Sequence, residues 1–239
     1  MQDNNRPIVF LGSCSAMRMW DDCCKRSGQK IIGILDNDYW LNTDQVDGVN
    51  VIGTEQDIEH LLELREKYNF FVATNWDPSL LNGDITERDN QKRKRLIQLV
   101  EEYELPLANI IDPSSVIHSN VQIDGGCYIG PMVSLETRVT IGKHTQMYAH
   151  CAVAHDVKIG SNCFFNRRVG AWGCTIGNDV YFGPFSVYAG NYRNSHVAEN
   201  AWIHPGIIVY GRPISEGEIV TIKSQRRTYP LGGVNQIVQ

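Results

Sequence analysis

Residues 115–165 read SVIHSN VQIDGG CYIGPM VSLETR VTIGKH TQMYAH CAVAHD VKIGSN CFF, and every block of six carries a large apolar residue in its third place. Ile117, Ile123, Ile129, Leu135, Ile141, Met147, Val153, Ile159 and Phe165 form that register. A second register, two places earlier, holds small or β-branched side chains from Ser115 and Val121 to Val157 and Cys163. An α-helix needs a period near 3.6 and a hairpin sheet needs turn signals between alternating runs, so neither produces a strict six. A coil with three flat sides does: the large residue fills its interior, eighteen residues make one turn, and turns stack at about 4.8 Å. The stretch therefore predicts a left-handed parallel β-helix.

Working outward, Gly130, Gly142 and Gly160 each follow a large residue, and the expectation is a corner that needs a permissive backbone. The frame resumes at Ile176, Phe182 and Tyr188 after losing one residue around Val169 to Trp172. It resumes again at Val197, Ile203 and Val209 after three extra residues near Asn191 to Asn194. Cys127, Cys151, Cys163 and Cys174 occupy the small register and are expected in the core, acting as small hydrophobes. Open coil ends need covers, and Arg212 to Gln239 is expected to cap one.

The first half alternates strands and helices. Ile8 to Leu11, the turn Gly12-Ser13-Cys14-Ser15-Ala16, a helix to about Ser27 and Ile31 to Leu35 make a βαβ unit closed by Asp36. Only one of the three glycines of a dinucleotide fingerprint is present. Thr54 is expected to begin a second helix with a Thr-x-x-Asp box, and Phe70 to Thr74 a third strand. A helix from about Thr86 to Tyr103 carries the run Gln91-Lys92-Arg93-Lys94-Arg95, read as a solvated face. The expected organisation is a Rossmann-like α/β domain over residues 1–108 and a β-helix over 109–239.

The net charge of −5, from 27 acidic and 22 basic residues, gives no basic field for nucleic acid or an anionic membrane. No apolar run reaches the roughly 20 residues of a membrane span, and Met1 to Pro7 is polar, so a cytoplasmic protein is expected. Seven cysteines without a C-x-x-C spacing argue against a disulfide framework.

Several motifs together resemble a known group. The βαβ start, Gly33-Ile34-Leu35-Asp36-Asn37-Asp38, the Asp112-Pro113-Ser114 entry to the coil and Ala154-His155-Asp156-Val157-Lys158-Ile159-Gly160 within it are similar to hexapeptide-repeat sugar acyltransferases. Their branches are the sialic-acid O-acetyltransferase type and the UDP-4-amino-sugar N-acetyltransferase type. The resemblance implies a homotrimer with acetyl-CoA in the groove between neighbouring β-helices, and a nucleotide-linked amino sugar as acceptor. It implies His155 as general base and Asp156 as its orienting acid. The chemistry suits them: an attacking amine must lose a proton, and an imidazole with an ordinary pKa of about 6.5 can take it near neutral pH.

By the same resemblance the Gly173 N–H stabilises the oxyanion, and Gly12, Ser13 and Asp36 contact the acceptor nucleotide. Arg167 and Arg168 either bind CoA phosphates or form bridges between subunits. The chain departs from the family in its Gly-Ser-Cys-Ser-Ala first loop, in Phe164 where a second histidine is common, and in Asn166-Arg167-Arg168 where small residues and proline are usual. Two other readings stay open: a sugar O-acetyltransferase, and a non-catalytic trimeric sugar-nucleotide-binding scaffold. His118, His144, His150, His196 and His204 are read as surface or subunit-contact residues. A three-histidine zinc site is not expected, because Gly173 and Arg168 stand eighteen residues after His155 and His150.

Overall fold

The computed structural model of the chain describes residues 6–14, 16–39, 42–74 and 87–221, with 87–90 described by their backbone alone. Its first half contains β1 (Ile8–Leu11), α1 (Met17–Ser27), β2 (Ile31–Leu35), β3 (Gln45–Val46), β4 (Val49–Gly53), α2 (Ile58–Arg65), β5 (Asn69–Val72) and α3 (Glu87–Glu102). The strands form one sheet in the order β3-β4-β2-β1-β5, parallel except for β3. Every residue of β1 and β5 is buried, as in a parallel strand covered on both faces, and apart from Asn69 both strands are apolar throughout. The β3–β4 hairpin is an addition to the sequence reading; it turns on Asp47-Gly48, both at positive φ, a common two-residue hairpin signal.

Two expectations about the helices are corrected. The cap of α2 is Asp57, whose carboxylate accepts the His60 N–H at 3.1 Å, while the Thr54 hydroxyl oxygen accepts the Gln56 N–H in the preceding turn. The basic run of α3 is a solvated face only in part: Gln91, Lys94 and Arg95 are exposed, whereas Lys92 and Arg93 turn inward. Lys92 bonds both Asp36 oxygens and Asp38, and Arg95 reaches the buried Glu55. Arg93 is 1% exposed, with its guanidinium donating to the carbonyls of Val72, Thr74 and His144 and to the Asn162 side chain. A buried cation is tolerable only with such a set of acceptors. Arg93 thereby ties the helix to the sheet and to the coil. Thr86, the expected start of α3, lies outside the described residues.

From β6 (Ile110–Ile111) to β23 (Ile219–Val220) the chain winds through eighteen short strands. They form three parallel sheets of six, five and seven strands, each strand bonded to the one a coil away. Ile141 pairs with Ile159 at a step of eighteen; Ile159 with Ile176 at seventeen; Ile176 with Val197 at twenty-one. The lost residue falls between Ala171, which takes the core position, and Ile176. The gained residues form a loop around Asn191 to Ser195, pinned by Ser195 and Asn191 to one another.

The interior is the predicted one. The large register from Ile129 to Val209 and the cysteines at 127, 151, 163 and 174 form one buried cluster. Burial pushes the Cys127, Cys151, Cys163 and Cys174 thiols up to about 12, so they pack as neutral groups.

The corners are built differently from the expectation. Positive φ falls on Met132, Arg138, His144, His150, Asp156, Asn162 and Arg168, six residues apart, and not on Gly130, Gly142 or Gly160. Those glycines serve close approach between coils: a Cβ on Gly142 would lie 2.7 Å from the Gly160 carbonyl carbon, and one on Gly160 2.6 Å from that of Gly177. Each left-handed corner at a non-glycine residue costs roughly 1 kcal/mol or more, offset by the ladder bonds on either side.

The two halves share a core. Trp20 of α1 packs edge-on against Phe71 (centroids 5.3 Å apart) and Tyr128 (6.2 Å), bridging the first sheet and the seven-stranded coil sheet. Tyr148, Phe164, Tyr181 and Trp202 continue that ring contact up the coil. Arg26 forks onto the fully buried Asp112 at the coil entry, where Ser114 also donates to the same carboxylate. The segment after Thr221, part of the expected cap, lies outside the described residues.

His144, expected at the surface, is buried at this junction, and among the described residues neither ring nitrogen has a hydrogen-bond partner. Glu101 stands 3.9 Å away, beyond bonding distance. Burial first, then the Arg93 and Lys143 charges, push the His144 pKa down to about 3. The unfolded chain, with an ordinary histidine near 6.5, binds the extra proton between those values, so this residue's contribution to stability falls as pH drops below about 6.5. At pH 5 the loss is about 2 kcal/mol. Urea unfolding at pH 7 and pH 5 should show His144→Asn losing less stability across that interval than the wild type by about this amount.

Candidate active site

His155 and Asp156 stand on the corner that follows the six-stranded coil sheet, between β13 (Ala152–Val153) and β14 (Lys158–Ile159). The hexad places them there: Val153 is the last core-facing residue, so the next three must turn, and Asp156 takes the left-handed conformation at φ 64°. Both side chains are close to half exposed.

The imidazole Nδ1 lies 2.7 Å from Asp156 Oδ2. The His155 backbone N–H donates to Glu136 Oε2 at 3.0 Å, fixing the corner from the coil below. Asp156 also receives a fork from Arg138, Nε at 2.6 Å and Nη2 at 2.7 Å. The Arg138 bonds, then the His155 bond, hold the Asp156 carboxyl well below the usual carboxylate range. An ionised Asp156 only accepts, so the 2.7 Å contact suits the ring tautomer protonated at Nδ1, which in the neutral imidazole leaves the lone pair on Nε2.

Nε2 faces Tyr192. The rings lie 5.6 Å apart and 13° from parallel, and the phenol oxygen is 3.4 Å from Nε2, a weak contact. Tyr192 sits in the enlarged loop, at φ 62°. Beside it opens a groove of about 630 Å³ lined by Asp156, Gly173, Thr175, Tyr192, His196 and Pro213. Gly173 thus borders the same groove as Asp156, at positive φ on the shortened corner one coil above. A Cβ there would meet the Gly190 carbonyl oxygen at 2.8 Å, so glycine is required for the close approach as well as the dihedral.

The other expected residues lie elsewhere. Arg167 and Arg168 occupy a different corner, following the seven-stranded sheet, with their guanidinium groups over the Tyr148 and Phe185 rings, each 5.5 Å from the centroid. Gly12, Ser13 and Asp36 gather at the carboxyl ends of β1 and β2. Asp36 is fully buried, and its oxygens already accept from Ser13 Oγ at 2.6 Å and from Lys92. Leu96 of α3 and Thr74 close over Gly12, within 3 Å of where a Cβ would stand. Ser15 lies outside the described residues. Among the described residues no three His, Cys, Asp or Glu side chains group closely enough to hold a metal ion, and no helix is long and apolar enough to cross a membrane.

Sequence reasoning missed Arg138, Glu136, Lys92 and Tyr192. Arg138 was readable from the period, since it stands eighteen residues before Asp156. Tyr192 was not, because the loop that carries it breaks the register.

Comparison with known proteins agrees with this architecture. Residues 111–223 match the family model described as the GMPPB C-terminal domain. A GDP-perosamine N-acetyltransferase from Escherichia coli O157:H7 is 26% identical over 140 residues, which cover 52% of this chain and 62% of that relative's length. The acetyltransferase domain of PglB from Neisseria gonorrhoeae FA1090 superposes with a TM-score of 0.70 at 16% identity, covering 90% of this chain and 96% of that one. PerB from Caulobacter crescentus, in complex with CoA and GDP-perosamine, superposes with a TM-score of 0.59 at 21% identity, covering 87% and 91%. These last two likenesses concern the fold. In its repeat and its architecture the chain resembles these acetyltransferases, whose fold it shares.

Proposed function

We propose that this protein transfers an acetyl group from acetyl-CoA to the amino group of a nucleotide-linked amino sugar, with His155 as general base. The observation that carries the reading is the exposed His155–Asp156 pair, tautomer set, beside an open groove that Gly173 borders. The acceptor amine attacks the thioester carbonyl carbon while His155 Nε2 takes its proton. In this reading the N–H of Gly173, which borders the groove, donates to the carbonyl oxygen as it gains charge. Collapse of the tetrahedral intermediate breaks the carbon–sulfur bond, and the imidazolium returns the proton to the leaving thiolate.

In this reading residues 1–108 form a Rossmann-like acceptor-binding domain and 109–239 the transferase coil. The nucleotide of the acceptor docks at Gly12, Ser13 and Asp36; because Lys92 and Ser13 already occupy the Asp36 carboxylate, the ligand takes over the Ser13 hydroxyl's bond or meets Lys92 directly. The outer face of the six-stranded coil sheet leaves Val116, Ile208 and Tyr210 60% or more exposed, with Trp172 beside them. That apolar stripe suits packing in a homotrimer. It separates the corner of Arg167 and Arg168 from the corner of His155, so in a trimer the arginines of one subunit serve CoA phosphates or salt bridges at the groove of the next.

CoA release should be measured with acetyl-CoA and a panel of UDP-, GDP-, CDP- and dTDP-linked amino sugars. His155→Ala should lower the rate by about two to four orders of magnitude, the usual contribution of a general base. Activity untouched by that change would place the base elsewhere. A product labile to mild alkali would mark an ester and the O-acetyl reading; acceptor binding with no CoA binding would mark the scaffold reading.

Tyr192 separates the hydroxyl from the ring. Tyr192→Phe keeps the stack on His155 and should leave kcat/KM within about threefold. Tyr192→Ala should lower it about fivefold, the rate equivalent of a stacked pair worth about 1 kcal/mol. Steady-state kinetics on both variants gives the comparison.

A further inference from the structure

Asp156 is held more firmly by the coil beneath than by the histidine it serves. Its carboxylate accepts Arg138 Nε on Oδ1 and Arg138 Nη2 on Oδ2, and only then His155 Nδ1 on Oδ2. Arg138 and Asp156 occupy the same left-handed corner position one coil apart, at φ 61° and 64°. Their backbones therefore rise in register, and the side chains meet without long reach. Arg138 is itself anchored: its backbone N–H donates to Asn120 Oδ1 at 3.2 Å, and Thr137 Oγ1 donates to the same oxygen at 2.9 Å. Asn120, Arg138 and Asp156 thus form a column of three coils that ends at His155.

A two-pronged bond fixes the plane of a carboxylate, which a single point charge cannot do. With the plane of Asp156 fixed, one lone pair of Oδ2 remains directed at Nδ1. That direction selects the ring tautomer protonated at Nδ1, the less common form of a free imidazole, and leaves Nε2 as the base. The remaining polar groups around the ring do not choose the tautomer: Glu136 takes the His155 backbone N–H, and the Tyr192 hydroxyl can donate or accept at Nε2. Arg193 and His196 border the adjoining groove and make no bond to the ring.

We infer that Arg138 is a positioning residue that fixes the plane of Asp156 and through it the Nδ1-protonated tautomer of His155, an assignment that rests on His155 serving as the base. As a stabilising ion pair it counts for little, since Arg138 is 59% and Asp156 41% exposed and such pairs contribute modestly. Its effect is on the histidine.

The test uses the full-length chain labelled with 15N at histidine. Seven histidines are present, and the His155 ring signals are assigned by their loss in His155→Gln. The ring 15N shifts, read at a pH where the ring is neutral, report which nitrogen carries the proton. The wild type should show His155 protonated at Nδ1. Arg138→Gln should move it toward the Nε2-protonated form, and Arg138→Lys should fail to restore the wild-type shifts because it returns the charge without the fork. In kinetics the same variants should lose about tenfold or more in kcat, with KM for both substrates within about twofold, as a loosened geometry predicts. His155 shifts unchanged in Arg138→Gln, or fully restored by Arg138→Lys, overturn the proposal. The tautomer is read without substrate, so a wild-type protein that releases no CoA would sink the transferase reading while the 15N shifts still decide the role of Arg138.

Discussion

The backbone ladder between coils is the constraint on which everything in the second half depends. Each two-residue strand contributes bonds only to the strands one turn above and below, so no strand is stable alone and the rise per turn is fixed by hydrogen-bond length. Residues at equal positions in successive turns are then stacked in columns. Inward columns become the core of aliphatic side chains and thiols; outward columns become sheets and corners whose chemistry the sequence is free to choose. The junction to the first half uses one such column, the aromatic run from Tyr128 to Trp202 on the seven-stranded sheet.

Corners suit a site because there polar side chains project without meeting either the core or a sheet neighbour. They also carry backbone strain at every sixth residue, on residues as large as Arg138, His144 and Arg168. This resolves the role of the glycines. Most corners accept side chains at positive φ and glycine holds only some of them, such as Gly126 and Gly173, while Gly142 and Gly160 stand where one chain passes within 3 Å of another. The departures from six have a consequence of their own: losing a residue after Ala171 and gaining three before Ser195 bend the regular corner column above Asp156 into a groove walled by Gly173 and Tyr192. Irregularity in the repeat is what opens the groove.

Legibility followed the period. Where the spacing of six held, it placed the core positions, the buried cysteines and the solvent-facing corner of His155 and Asp156, but it did not show that His144 is buried or that the glycines serve close approach. The period also contained Arg138, one full turn before Asp156, but a charged residue at a corner reads as solvated unless its partner in the next coil is sought. Where the period failed, so did placement. Tyr192 sits in the inserted loop, and its position against His155 depends on how three extra residues fold, which spacing does not encode. In the first half the basic run of α3 misled for another reason. Charge on a helix face is usually exposed, yet Asp36, Asp38, Glu55 and four neutral acceptors from distant parts of the chain were waiting for Lys92, Arg95 and Arg93. Tertiary partners more than fifteen residues away are invisible to a local reading.

The same tertiary pairing bears on how the two halves work together. Arg93 ends on the His144 carbonyl and on Asn162, whose amide donates to Asp179, so one guanidinium spans α3, the end of β5 and two coils. Lys92, the adjacent residue, holds the Asp36 carboxylate at the mouth of the first sheet. Of the two side chains on Asp36, Lys92 belongs to the helix that Arg93 bolts to the coil, and Ser13 to the loop after β1. The buried end of that bolt gives it stiffness, because releasing Arg93 would strand a charge and at least three acceptors in a dry junction. The corner of His155 is held apart from that helix by its own column, with Arg138 forking onto Asp156 from the coil beneath.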